Sequence, residues 1–230
     1  MSILAAVAVP HPPIMFEEVG QGREQEIIKT INAYREAMKF VASFEPETII
    51  LTTPHSELYA DYFHISGGTE AKGDFTQFGA PQVKIHAYYD QEFVSELEAL
   101  CTQKNFPCGT LGERNPALDH GSIIPLRYLN EVWPKYKVVR IGLSGLSLAQ
   151  HYQLGQLIKD VVNKLNRKAV FVASGDLSHR LLAEGPYGFA KEGPEFDAQV
   201  TDIMKRCDIK AFSGFDEQFL DCAAECGLPG

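Results

Sequence analysis

Three of the seven histidines in this chain stand just past short hydrophobic runs: His11 after ILAAVAVP, His55 after TIILTTP and His179 after AVFVASGDLS. Imidazole titrates nearest to neutral pH, and its unprotonated ring is a common metal ligand. Histidines gathered with a carboxylate therefore make a metal or proton-transfer site. If the three runs are parallel strands of one α/β sheet, their C-terminal ends share one edge, where such folds build their sites. The three rings would then converge.

The motifs around these residues are short. In VPHPPI, Pro10 and Pro12 flank His11 and take the backbone out of the sheet ladder, which suits a fixed side chain at a strand end. In TTPHS a proline again precedes the histidine. LDHGSIIPL places His120 before a glycine at a helix start, and SGDLSHR places His179 in a loop, with Asp176 and Ser178 as candidates to orient it. In DCAAECG, Glu225 is a carboxylate in an otherwise small, apolar stretch, facing solvent or buried for a purpose. His64, His86 and His151 lie outside these motifs and read as surface or strand histidines. Tyr59, Tyr62, Phe63, Phe75 and Phe78 read first as core packing and second as a pocket lining.

The elements that must position these groups alternate strand and helix. Residues 3–9 read as a buried strand, and 23–44 as a helix with Ile27, Ile28, Ile31, Tyr34, Met38 and Val41 at helical spacing, closed by Pro46. Strands are expected over 48–53, 62–65, 83–86, 137–143 and 169–173, and helices from Asp90 to about 103, over 122–132 and over 148–165. The Gly-rich stretch from Ser66 to Pro81 reads as a loop able to fold over a site. The last third turns helical, over 195–207 and 215–226. There Phe215, Phe219, Cys222, Ala223 and Cys226 follow helical spacing, so a helix should aim Glu225 at His11 and His55, with a loosely held last turn. This rhythm predicts one α/β domain over residues 1–230, with a central mostly parallel or mixed sheet flanked by helices and a site at the C-terminal edge of the strands.

Composition bounds the function. With 230 residues and 45% hydrophobic content the chain can fill one sizeable core. A formal charge of -9 argues against nucleic acid or an anionic membrane as partner, since phosphates demand clustered Lys and Arg. No apolar stretch is long enough for a membrane span and the N-terminus lacks a basic signal region, so the expected location is cytoplasmic. Five cysteines without a CxxC read as reduced, mostly structural thiols.

Taken in order, VPHPPI, TTPHS, LDHGS, SGDLSH and AAECG resemble the class III extradiol ring-cleavage dioxygenases, the LigB-like superfamily, and within it most closely the AmmeMemoRadiSam system protein B and Memo-like branch. The resemblance spans nearly the whole chain and implies one catalytic domain that stops soon after the ECG motif, natively short or cut off there. It implies that His11, His55 and Glu225 hold a non-haem Fe(II), with Zn as a substitute, that His179 is the catalytic acid/base, and that His120 is a second pocket histidine near oxygen and substrate. A facial triad of two histidines and a carboxylate leaves the opposite positions of the metal open. The implied reactants are a small aromatic diol and O2. The alternative is a dioxygenase-like metal or redox protein serving as a scaffold with an AMMECR1-type or radical-SAM partner. Homo-oligomerisation is compatible with either.

Overall fold

Four hydrophobic runs become the strands of one parallel sheet. Three of them are buried on both faces, as the strands of parallel sheets flanked by helices usually are, whereas the run over 3–9, expected to be buried, lies at the sheet edge with Ala6 and Ala8 exposed. In the computed structural model, which describes residues 3–230, the strands in chain order are β1 (Ile3–Val9), β2 (Thr48–Thr53), β3 (Phe63–His64), β4 (Glu70–Phe75), β5 (Ala80–Tyr88), β6 (Cys108–Gly109), β7 (Lys137–Gly142) and β8 (Ala169–Ser174). The helices are α1 (Glu17–Gly20), α2 (Ile28–Ala42), α3 (Gln91–Gln103), α4 (His120–Asn130), α5 (Leu148–Leu165), α6 (Glu192–Arg206) and α7 (Glu217–Ala223). The central sheet has the order β1-β8-β2-β7 with every pairing parallel. Val9 pairs with Ser174 and Thr53 with Gly142, so the C-terminal ends of all four strands lie along one edge.

Side chains alternate across this sheet and seed two cores. Ile49, Leu51, Val138, Val170 and Val172 pack with α2, α4 and the β4–β5 hairpin on one face. Ile50, Val139, Ile141 and Ala169 pack with α3 and α5 on the other. The helices begin where short polar side chains satisfy their first N–H groups. Asp90 accepts from Phe93 N at α3, Asp119 from Ser122 N at α4, and Ser147 with Gln150 forms a capping box at α5.

Four local expectations are corrected. The stretch 66–81 is largely an antiparallel hairpin, in which β4 and β5 pair and Ala71 and Phe75 turn inward. Residues 23–27 form 3-10 turns before α2, so the first part of that segment is not α-helix. Helix α4 begins at His120, two residues earlier than its pattern suggested. The final helix stops at Ala223, because Ala224 takes a left-handed conformation (φ 51°), and Glu225 and Cys226 lie in the turn beyond it. Among the described residues no helix is long and apolar enough to cross a membrane.

Candidate metal and proton-transfer centre

Each predicted histidine is delivered by a strand or helix end. His11 follows β1, His55 follows β2, His179 follows β8, and His120 opens α4. The rings of His11, His55 and His120 converge, with centroids 4.7 Å apart for His11–His55, 5.2 Å for His11–His120 and 4.1 Å for His55–His120. The Nε2 atoms of His11 and His55 face each other at 3.0 Å. His179 joins through Asp176, whose Oδ2 lies 3.7 Å from Nε2 of both His179 and His11.

The surroundings fix how His11 presents itself. Pro125 lies inside α4 and has no N–H to give the carbonyl of Gly121 four residues back. That free carbonyl accepts the Ser174 hydroxyl hydrogen at 2.6 Å. With its one hydrogen spent, Ser174 Oγ can only accept from His11 Nδ1, 3.0 Å away. The Nδ1–H tautomer follows, and the Nε2 lone pair turns toward His55. Partners behind a ligating imidazole orient it in this way.

His55 and His120 are tied by one carboxylate. Asp119 accepts from Thr53 Oγ1 at 2.7 Å and from Ser122 N at 3.0 Å, while Thr53 Oγ1 receives the His55 N–H at 3.2 Å. Buried Arg140 stands behind it, with Nη1 3.8 Å from Asp119 and Nε donating to Ser66. The site requires glycine at 121, where a Cβ would fall 2.6 Å from Thr53 Oγ1 and 3.3 Å from His11 Nδ1.

At the C-terminus the side chain that reaches the histidines is Cys226. Its Sγ lies 3.8 Å from His11 Nε2 and accepts the Asp176 N–H at 3.2 Å. Among the described residues, the donor groups with all ligand atoms within 4.8 Å of one another are His11, His55 and Cys226, and Asp176, His179 and Cys226. Glu225 is in neither group: its Oε2 accepts from Gly227 N at 2.7 Å and Leu228 N at 2.6 Å, closing the terminal turn. Gly175 lets this turn approach, since a Cβ there would sit 2.2 Å from Gly227 Cα. Sequence reasoning passed over Cys226 as a structural thiol. Its position beside Glu225 in ECG was the one available signal.

Burial and neighbouring charge divide the titrating groups. Burial, reinforced by facing histidines, takes His120 down to about 4, and burial also lowers His11 and His55. These rings are neutral at pH 7, the state in which an imidazole is able to ligate a metal. His179 is raised, chiefly by the Asp176 carboxylate, with Ala224 O accepting from Nδ1 at 2.6 Å on the other side. Burial works against the Asp176 anion, but His179 and His11 pull its pKa below the ordinary value. Burial pushes Glu225 up and the Cys226 thiol up to about 11, so this thiol would give up its proton on binding a metal.

The remaining histidines stay outside the cluster. His64 is fully buried on β3 rather than at the surface, His86 pairs with Glu70 at 2.9 Å, and His151 packs edge-on against Phe63. Phe63 and Phe75 belong to the core, whereas Phe78, near the hairpin tip, packs on His120 with centroids 5.3 Å apart.

Residues 5–228 match the family described as the catalytic LigB subunit of aromatic ring-opening dioxygenase. A Clostridium acetobutylicum protein known by a locus designation is 35% identical over 99% of this chain and 50% of its own length, so the chain spans about half of that relative. An Escherichia coli 3,4-dihydroxyphenylacetate 2,3-dioxygenase is 24% identical, covering 94% of this chain and 82% of the relative. A Pseudomonas 2-aminophenol 1,6-dioxygenase beta subunit is 22% identical, covering 95% and 79%.

Proposed function

Because the chain belongs to the LigB family of aromatic ring-opening dioxygenases, we propose that it is a non-haem Fe(II)-dependent, class III extradiol ring-cleavage dioxygenase acting on a catechol-type or related small aromatic substrate. The observation that carries this reading is the pair of neutral imidazoles meeting Nε2 to Nε2 at 3.0 Å beside a protonatable His–Asp pair. A structural metal site would need no proton carrier, and the His179–Asp176 pair beside these rings supports a proton-handling role.

His11 and His55 would hold the metal, with the third position falling to the Glu225–Cys226 step. Glu225 is the carboxylate of the family pattern and would have to leave its turn hydrogen bonds, whereas Cys226 already faces His11. Fe(II) held there would supply a common binding point for diol and O2 and a path for electrons between them. The protein's own work is proton handling. Both nitrogens of His179 face oxygens, so it would hold a proton more readily than a free imidazole and exchange it with a phenolic oxygen as substrate binds and product forms. His120, neutral down to about pH 4, offers a hydrogen bond without a charge. Zinc can occupy such an N/O/S site in place of iron.

Anaerobic iron reconstitution followed by a catechol panel, read for coloured ring-fission product, tests this reading. His179→Gln should keep iron and bind catechol yet lose turnover by about 10²-fold or more. Absence of cleavage, together with unchanged metal content in His11→Ala, would overturn it. A second reading rests on the Clostridium relative, in which the matched region is half of a longer protein. There the fold would act as a metal-binding or redox scaffold with an AMMECR1-type or radical-SAM partner, and tight partner binding without diol cleavage would support it.

A further inference from the structure

Past His179 the chain forms an arch. Leu181 and Phe189 pair as an antiparallel bridge, Ala190 N donates to Arg180 O at 3.2 Å, and the tip turns on Gly185 and on Gly188 (φ +69°). Its foot is fixed: Ser178 N donates to Asp197 at 2.9 Å and Ser178 Oγ to Ala223 O at 2.7 Å. The arch nevertheless holds apolar side chains in water, with Leu182 68%, Tyr187 57%, Phe189 59% and Leu181 42% exposed. Single exposed apolar residues are ordinary, but here four fall within nine residues of one arch, the kind of surface that a ligand can cover. Tyr187 connects the two, its ring centroid 5.0 Å from that of His179. Phe78 contacts His120 in the same cluster. Between Leu181 and Phe189 the only charged side chain is Glu184.

We propose that the arch is the substrate-selecting wall of this centre, with Tyr187 its specificity-determining residue, and that it takes a catechol-type ring carrying an uncharged, apolar substituent. This rests on the ring-cleavage reading above. The diol edge would face the histidines while the substituent lies on Leu182 and Tyr187, removing their apolar surface from water. Glu184 would disfavour a carboxylate at that end.

The test is calorimetric binding, without oxygen, of catechol, 4-tert-butylcatechol and 3,4-dihydroxyphenylacetate to the iron-loaded full chain and to its Tyr187→Ala and Leu182→Ala variants. The wild type should prefer the tert-butyl compound over catechol by about tenfold or more, the scale of burying a few methyl-sized groups. Each variant should shrink that preference severalfold. A preference that persists in both variants overturns the assignment. Tighter binding of dihydroxyphenylacetate would overturn it too, passing recognition to a cation such as Arg180. So would self-association that both variants abolish, because the arch would then be covered by a second copy. Binding of none of the three diols would overturn the catechol reading of the centre and this assignment with it, whereas equal binding of catechol and tert-butylcatechol would overturn the assignment alone.

Discussion

His179 and Asp176 are sequence neighbours whose charges depend on each other. A histidine raised in the folded state contributes stability that is full below its unfolded value near 6.5 and is lost as pH rises through the folded value. The depressed Asp176 contributes stability present above about 3.8 and lost as pH falls through its folded value. Their mutual stabilisation therefore spans the interval between. In metal-free protein we expect the His179 imidazole, followed by NMR, to titrate above 6.5, and Asp176→Asn to bring it down. An unchanged titration would remove Asp176 as the cause. The third donor of the proposed metal site is tested at the same scale. If Cys226 supplies it, Cys226→Ala should lower iron affinity by about tenfold or more, within the range seen when a group supporting a metal site is lost, while Glu225→Gln changes it little. The reverse result would return the role to Glu225.

At the scale of elements, α4 sets the site through a missing hydrogen bond. Pro125→Ala restores an N–H that competes with Ser174 for Gly121 O, and should weaken metal binding while the fold persists. Ser174→Ala leaves His11 Nδ1 buried without its partner, at a cost of about 1–3 kcal/mol in denaturant unfolding. Unaltered metal affinity in both variants would show that the relay does not orient His11. The start of the same helix depends on Asp119, which also faces buried Arg140. Asp119→Ala should therefore exceed the ~1 kcal/mol of a lost helix cap, because it also strips a counter-charge from a buried guanidinium.

For the molecule as a whole, the cores and the site occupy different places. The cores lie on the two faces of the sheet and the histidines at one edge. Stability and metal binding should then separate. His55→Ala is expected to remove most bound metal with a small change in melting temperature, since strand-end loops add little to the core. Phe93→Ala, in a fully buried position between α3 and the sheet, should cost about 3–5 kcal/mol. Loss of folding in His55→Ala would mean that the ring is structural.

Local physics sufficed for much of this. Continuous apolar runs form the strands, and a proline before His11 and His55 ends two of them, so the sheet edge and its imidazoles were legible from residue types alone. The bounds of α5 and the Asp90 cap were legible for the same reason, because helical periodicity and capping act over a few residues. The hairpin over 66–81 was not, since the Glu, Ala, Lys, Gly and Asp of β4 are poor strand formers and β4 exists through its pairing with β5. Nor was the choice between Glu225 and Cys226. Spacing continued a helix through both, but the left-handed Ala224 ends it, and the turn that follows aims the thiol, rather than the carboxylate, at His11. The sequence by itself determined which strand ends carry imidazoles. Which side chain from the chain's far end meets them was decided only by the tertiary return of residues 224–230 onto Gly175 and Asp176, contacts that no local pattern encodes.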